Sequence, residues 1–176
     1  EAIHEYDSHI ILENHGEHKG KWRELFEDPT KPLYMELGTG KGRFIAGMAE
    51  EHPEANFVGF EVQMGVIYYA AQKLYERNLS NAKVALFDIA GIEDIVESGE
   101  VDHFYINFCD PWPKAKHAKR RLTYHTFLDR YARLLKEDGE IHFKTDNEGL
   151  FMFSLEEFQN CGWTLKNVTY DLHSTD

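Results

Sequence analysis

The fold of this chain is set by Leu33-Tyr34-Met35-Glu36-Leu37-Gly38-Thr39-Gly40-Lys41-Gly42. An apolar run ends in a carboxylate, glycine follows at every second position, and residues 43–49 then have a helical pattern. Glycine lets a backbone turn tightly and approach a ligand, and the first free N–H groups of the following helix point toward that ligand. The stretch therefore predicts a strand, a ligand-binding turn at Gly38, Gly40 and Gly42, and a helix.

The spacing of these glycines narrows the class of cofactor. A dinucleotide-binding loop would have its third glycine at position 43, where this chain has Arg43. An acidic residue that closes a strand before Gly-x-Gly-x-Gly instead resembles the first motif of the S-adenosylmethionine-dependent methyltransferases. A plain turn between strand and helix is the alternative, but three alternating glycines are more than such a turn requires.

Strand and helix patterns alternate along the rest of the chain. This alternation predicts an α/β fold in which parallel strands are joined by right-handed crossovers and ligands bind at the carboxyl edge of the sheet. After the first strand, the apolar runs predict strands at residues 57–61, 84–88, 101–108, 140–145 and 168–170. The helix that carries Tyr124 and Phe127 is predicted to close at Asp138-Gly139.

Three carboxylates are predicted to meet at that edge, because Glu36, Glu61 and Asp88 each end a strand. Glu61 lies nineteen residues after Gly42, where α/β nucleotide sites place the acid that accepts from the ribose hydroxyls. Asp88 then suits the amino group of an adenine base, which donates hydrogen bonds. The alternative is that each is an ordinary exposed acid at a strand end.

The predicted strand 101–108 places Phe104, Ile106 and Phe108 on one face and continues into Cys109-Asp110-Pro111-Trp112-Pro113-Lys114. Two prolines around a tryptophan indicate a stiff loop with little conformational entropy to lose. Such a loop can aim Asp110 accurately.

The charge distribution matters more than its sum. A net charge of −12 argues against a nucleic-acid partner, because phosphate binding depends on Lys and Arg. However, a basic run follows the Asp110 loop directly, which favours a phosphate contact there. We call this set the basic run: Lys114, Lys116, Lys119, Arg120 and Arg121. A solvated basic face is the alternative.

Length and composition limit the number of domains, the location of the protein and the roles of its cysteines and histidines. With 176 residues and 42% hydrophobic content, the chain fits one compact domain. No apolar run reaches membrane-spanning length and the start lacks a signal-peptide pattern, so we expect a cytoplasmic protein without a membrane partner. Cys109 and Cys161 are predicted to be free thiols. No metal site is predicted, although His15 and His18 form the one close histidine pair.

One set of motifs makes the resemblance specific. Asp110-Pro111-Trp112-Pro113-Lys114, followed by Lys119-Arg120-Arg121-Leu122 and by Phe143-Lys144-Thr145-Asp146, resembles the bacterial tRNA (guanine-N7-)-methyltransferase family over Trp22 to Leu172. The resemblance implies a doubly wound, mostly parallel sheet of the Rossmann-like methyltransferase type. It also implies S-adenosylmethionine as cofactor, tRNA as partner and methylation of guanine N7.

The resemblance also assigns residues. It implies that Glu36, Glu61, Asp88 and Asp110 line the cofactor site, and that Asp110, Lys114 and Asp146 meet the guanosine. Asp110 is the predicted catalytic residue, because a carboxylate stabilises the positive charge that develops on the methylated purine. Lys116, Lys119, Arg120 and Arg121 are predicted to contact tRNA phosphates.

The family pattern extends beyond this sequence at both ends. It implies a basic segment before Glu1, and a Thr-x-x-Glu motif with a final antiparallel strand after Asp176, so we expect a trimmed chain. We interpret residues 1–32 as a lead-in, with a helix near residues 20–26, and residues 33–176 as the methyltransferase domain. A methyltransferase for another RNA, a protein or a small molecule, and a silent RNA-binding module, remain alternatives. Monomer and homodimer both stay open.

Overall fold

The computed structural model describes residues 6–169. Within these residues the strands are β1 (Ile10–Ile11), β2 (Leu33–Leu37), β3 (Asn56–Glu61), β4 (Ala82–Leu86), β5 (Val101–Asn107) and β6 (Leu135–Lys144). The α-helices are α1 (Arg43–Glu51), α2 (Met64–Glu76), α3 (His125–Leu134) and α4 (Glu148–Asn160). Short 3₁₀ helices span His15–His18, Trp22–Leu25, Ile89–Asp94 and Ala115–Arg120.

The strands form one sheet in the order β1-β4-β3-β2-β5-β6, and every pairing among the described residues is parallel. The chain winds outward from β2 through β3 to β4, and then returns to the other side of β2 to add β5 and β6. The strand order therefore reverses between β2 and β5, where doubly wound sheets open a ligand crevice. The predicted fold class is confirmed.

The sheet has a hydrophobic core on each face. Side chains of β2 alternate between the two faces, so the strand contributes to both cores. Leu33, Met35 and Leu37 pack with Tyr131 of α3 on one face. The other face packs against α1 and α2, with Ile45 among its fully buried side chains. Each fully buried large apolar side chain contributes about 1.5–3 kcal/mol relative to leaving it exposed.

Residues 6–32 pack into this fold. β1 adds an edge strand beside β4, and Trp22 is fully buried, with its indole N–H donating to the Ile95 carbonyl at 2.7 Å. The Glu100 carboxylate accepts from the backbone N–H groups of Gly20 and Trp22, both at 3.0 Å. These bonds hold the segment in a single 3₁₀ turn, so the predicted helix around residues 20–26 is shorter than expected.

The end of α3 was predicted at Asp138-Gly139, four residues after the observed end at Leu134. The helix ends at Leu134 and the strand begins at once, because Leu135 pairs with Val101. The register then shifts before the pair His103 and Glu140, so that β6 has three extra residues over this stretch. A Cβ on Gly139 would lie 2.9 Å from both the Leu135 Cβ and the Lys136 carbonyl oxygen. The Asp-Gly pair thus marks an irregularity inside a strand rather than the end of a helix.

The last predicted strand, residues 168–170, is not formed at the two of its residues that the structure describes. Val168 and Thr169 are irregular, and Tyr170 lies outside the described residues. Over residues 6–169, β6 is therefore an edge of the sheet. In the same part of the chain, no helix has the length and apolar character needed to cross a membrane.

Candidate functional site

The predicted acids lie at one edge of the sheet. Neighbouring strands end at or within one residue of the same level, as three register pairs show: Leu37 with Phe60, Glu61 with Leu86, and Asn107 with Lys144. Because the strands are parallel, the segments that follow them leave the sheet on the same side. These segments carry the glycine turn, Asp88, Asp110 and Asp146, and Glu61 is the last residue of β3. The predicted common edge is confirmed.

The glycine turn has one open side. Gly38 has φ 87° and Gly40 has φ 58°, and a Cβ added to either would meet nothing within 4 Å. The N–H groups of Gly38 and Thr39 both donate to the Phe60 carbonyl, at 3.0 and 2.8 Å, which fixes the turn to the end of β3. The turn is thus rigid on its sheet side and accessible on the other.

Gly42 differs from the other two glycines. It is buried with φ 85°, and an added Cβ would lie 2.7 Å from the Ala70 Cα of α2. This glycine therefore lets the start of α1 pack closely on α2. The expectation that all three glycines give a ligand room is met by the geometry of Gly38 and Gly40 alone.

Glu36 is a buried carboxyl group that connects two parts of the site. Its side chain accepts hydrogen bonds from the Thr39 hydroxyl in the glycine turn and, at 3.2 Å, from the Asn107 amide at the end of β5. Only 5% of the residue is exposed. Burial raises the pKa of Glu36 to about 7, against the lowering effect of the Thr39 and Asn107 bonds, and the nearby Glu61 charge adds to the rise.

Glu61 and Asp88 are both tied to the backbone at strand ends. The Glu61 carboxylate accepts from the Gly40 N–H at 2.8 Å and from the Gln63 N–H at 3.1 Å. Asp88 is exposed and caps the following 3₁₀ helix by accepting from the Ala90 N–H at 2.9 Å. A carboxylate has about four lone-pair sites, so each group can accept further bonds from a ligand.

The loop after β5 has a strained backbone. Trp112 has φ 46°, a left-handed conformation that is rare for bulky residues. The Arg121 guanidinium holds this turn by donating to the Trp112 carbonyl at 3.0 and 2.9 Å, and the Arg120 guanidinium lies 4.9 Å from the centre of the Trp112 ring. Asp110 is exposed at the start of the same loop.

Phe108 contradicts the predicted alternation of β5. Phe104 and Ile106 are fully buried as expected, but Phe108 is 64% exposed. Its φ is 53°, so the chain leaves the strand geometry at this residue and turns the ring away from the core. In the sequence, Phe108 continues the alternation of Phe104 and Ile106, and nothing there indicates that its side chain is exposed.

The basic run divides into two groups. Lys114, Lys116, Lys119 and Arg120 are exposed, whereas Arg121 is half-buried and its guanidinium lies 4.5 Å from the centre of the Phe153 ring. Further along, Arg133 is paired with Glu93, with the shorter contact at 2.7 Å. Arg121 therefore has an internal structural contact, and the exposed members remain available to a ligand.

Asp146 lies exposed between β6 and α4. The next residue, Asn147, caps α4 by accepting from the Leu150 N–H at 2.8 Å, and the Asn147 N–H donates to the Thr145 hydroxyl at 3.1 Å. These bonds fix the backbone on either side of Asp146, so its carboxylate is presented from a rigid turn.

Comparison with known proteins identifies relatives of high similarity. A curated tRNA (guanine-N(7)-)-methyltransferase of Streptococcus agalactiae serotype III (strain NEM316) is 49% identical over 172 residues, covering 98% of this chain and 81% of the relative. One from Streptococcus pneumoniae (strain CGSP14) is 47% identical over 176 residues, covering 100% of this chain and 82% of the relative. The chain belongs to this family.

Two further comparisons are coarser than these relatives. A family model described as "Putative methyltransferase" matches residues 30–172. The solved structure of coclaurine N-methyltransferase, bound to N-methylheliamine and SAH, has a TM-score of 0.53 at 19% identity, covering 64% of this chain and 30% of that chain. At this identity, the solved structure shows a shared fold.

Two other features of this family member lie away from the carboxyl edge. A surface cleft at the amino-terminal ends of β2, β5 and β6 is lined by residues that include Tyr34 and Asp102. His103, Glu140 and His142 hold their potential metal-ligand atoms within 4.8 Å of one another, and His142 Nε2 lies 3.2 Å from the Glu140 carboxylate. Neither feature adjoins the glycine turn.

Sequence reasoning missed several residues that shape the site of this family member. Thr39 and Asn107 secure Glu36, and Arg121 secures the Trp112 turn. Thr39 stands within the glycine turn and Asn107 within a predicted strand. Hydrophobic periodicity does not mark hydrogen-bond partners, whether they are three residues apart, as Thr39 and Glu36 are, or 71 apart, as Asn107 and Glu36 are. The exposure of Phe108 was likewise not predicted.

Proposed function

We propose that this protein transfers a methyl group from S-adenosylmethionine to N7 of a guanosine in tRNA. The observation that carries the proposal is the adjacency of two motifs at the switch between β2 and β5: the open glycine turn beside Glu61, and the Asp110 loop with its exposed basic run. The names of the curated relatives support the same reaction.

The residues of the carboxyl edge fit S-adenosylmethionine. A side chain at Gly38 or Gly40 would occupy the open side of the turn, where the cofactor can approach the backbone. Glu61 suits the ribose hydroxyls and Asp88 the adenine amino group, because both carboxylates have accepting capacity beyond their backbone bonds. Glu36 and Gly42 act indirectly, by holding the turn and the start of α1.

When bound, S-adenosylmethionine supplies an electrophilic methyl group on a sulfonium sulfur. Guanine N7 has a lone pair and no proton, so the protein has no proton to remove before the attack. Its main task is to orient the two reactants, which can account for roughly 7–11 kcal/mol of barrier in well-oriented reactions. Methylation leaves a positive charge on the purine, and the Asp110 carboxylate stabilises that charge.

The tRNA side of the proposal rests on the basic run and on Asp146. Lys114, Lys116, Lys119 and Arg120 would contact phosphates or sugars, and Asp146 would accept from the guanine. The run lies immediately after the Asp110 loop, so a backbone held there brings a base to the same edge as the glycine turn. The cytoplasm, where tRNA is used, is the proposed location.

The direct test is methyl transfer to bulk tRNA with labelled S-adenosylmethionine, followed by digestion to nucleosides. We expect the label in 7-methylguanosine. Label in another nucleoside would contradict the assigned atom, and cofactor binding without transfer to tRNA would contradict the assigned substrate.

Asp110→Ala separates the chemistry from docking. We expect its single-turnover rate at saturating tRNA and cofactor to fall steeply, because the carboxylate no longer faces the developing charge. The salt dependence of tRNA binding should stay near that of the parent protein. A normal saturated rate would remove Asp110 from the chemical step.

A further inference from the structure

Phe108 combines two features that the fold alone would not select. The residue is 64% exposed, whereas Phe104 and Ile106 of β5, the strand that ends one residue earlier, are fully buried. Its backbone has φ 53°, a left-handed conformation that is unfavourable for an aromatic residue. Such strain persists where the surrounding structure holds it and is concentrated at functional sites.

The surrounding structure does hold this conformation. The Phe108 N–H donates to the Lys144 carbonyl of β6 at 2.8 Å, so the backbone remains tied to the sheet while the ring points outward. Trp112, the other strained aromatic residue of the loop, has ring contacts within the protein, with Arg120 at 4.9 Å and His117 at 5.5 Å. The rigid placement of an exposed ring at position 108 indicates a ligand surface.

Phe108 lies beside the proposed reaction site. It follows Asn107, whose amide bonds to Glu36, and Glu36 in turn bonds to Thr39 of the glycine turn. Asp110 follows two residues later. The ring therefore stands at the strand end that joins the two halves of the site, where the reacting base has to lie.

The chemistry of the substrate suits an aromatic surface. Single-stranded or extruded bases stack on aromatic side chains when proteins recognise RNA. Methylation at N7 turns a neutral purine into a cation, and cations are attracted to the face of an aromatic ring. A ring under the guanine therefore gains interaction energy as the reaction proceeds, which is the condition for lowering a barrier.

We propose that the ring of Phe108 is the surface on which the target guanine stacks during methyl transfer. This inference rests on the proposed function, because it names the residue that holds the base of that reaction. Phe108 is thus a substrate-binding residue, and its contribution grows as positive charge develops on the purine.

The test compares Phe108→Leu with Phe108→Trp in steady-state methylation of tRNA. Leucine keeps an apolar side chain and loses the aromatic face, so kcat/KM for tRNA should fall roughly 10- to 100-fold. Tryptophan keeps the face and should stay within about 5-fold of the parent protein. Met152→Ala is the control, because Met152 is another large exposed apolar residue at 56% exposure. S-adenosylmethionine affinity should be unchanged in all variants.

Phe108→Gly guards against a loss caused by misfolding. Glycine adopts positive φ without strain, so this variant should unfold at or above the parent temperature and still show the loss of kcat/KM. The proposal is overturned if Phe108→Leu methylates tRNA normally, if the Leu and Trp variants lose activity equally, or if the loss follows weaker cofactor binding. A parent protein that forms no 7-methylguanosine would overturn the proposed function instead.

Discussion

At the scale of single residues, Glu36 makes stability depend on pH. Burial raises its pKa to about 7 from the ordinary 4.5, so between these values the folded state binds more protons than the unfolded state. The contribution of Glu36 to the stability of the folded state therefore falls as pH rises from about 4.5 to 7. A shift of this size corresponds to a free energy on the order of 3 kcal/mol.

Glu36→Gln should remove that decline. The amide stays neutral at all pH values in this window, and the Asn107 amide can turn to present its oxygen to the new donor. We expect urea unfolding to show that the free energy of unfolding of the variant, minus that of the parent, rises from pH 5 to pH 8, because His9, His15 and His103, whose pKa values are lowered by burial, affect both proteins alike. Glu76→Gln, on the exposed face of α2, is the control. A difference between the two proteins that stays constant over this pH range would show that Glu36 is not the titrating group.

Glu61 is the second residue whose contribution can be isolated. Glu61→Ala removes the proposed acceptor for the ribose hydroxyls and also frees the Gly40 N–H, so S-adenosylmethionine binding should weaken by about 1–3 kcal/mol. Isothermal titration calorimetry measures the change in Kd, with Glu76→Ala as the control. An unchanged Kd for Glu61→Ala would count against the assignment.

At the scale of elements, the segment between β5 and α3 has two separable tasks. Arg121 holds the Trp112 turn from inside, whereas the exposed lysines of the 3₁₀ helix face solvent. Arg121→Ala should lower the free energy of unfolding by about 1–3 kcal/mol, because a charged donor to a carbonyl is removed. The salt dependence of tRNA binding should not change in this variant. Chemical denaturation and binding measured on the same preparation give both numbers.

For Lys116→Ala and Lys119→Ala we expect the opposite of the Arg121→Ala result. Each should leave stability near that of the parent and reduce the slope of log affinity against log salt by roughly 0.7–0.9 for every phosphate that the lysine had neutralised. If both variants keep the parent slope, this stretch is a solvated face and tRNA is held elsewhere. If Arg121→Ala also reduces the slope, Arg121 contacts tRNA as the basic run alone predicts.

The elements also show how far sequence reasoning reaches. Buried parallel strands are continuous apolar runs, so β3 and β4 could be predicted from composition and order. The bounds of β4 were predicted two residues too late, because the strand ends at Leu86 and Asp88 caps the next 3₁₀ helix. The switch from α3 to β6 could not, because Leu135 fits the helical stripe of α3 equally well and is placed in the strand by its pairing with Val101. The positive φ of Phe108 breaks a period that its neighbours keep. Contacts between distant residues decide both cases.

At the scale of the whole molecule, the net charge of −12 and an RNA substrate are compatible. Exposed charges are screened over about 8 Å at physiological ionic strength, so a bound phosphate responds to the charges near it rather than to the total. The Asp110 carboxylate and the basic run that follows it lie at the same strand end, so opposite charges stand close together at this edge. The protein can thus present positive charge to a phosphate backbone and negative charge to a methylated purine.

The central claim is that this edge transfers a methyl group to guanine N7 in tRNA. The most direct test uses tRNA transcripts made with 7-deazaguanosine, in which carbon replaces N7 and the attacking lone pair is absent. We predict methyl transfer to the guanosine transcript and none to the deaza transcript, while the deaza transcript still competes for binding and so proves to be folded. Equal methyl transfer to both transcripts would contradict the account.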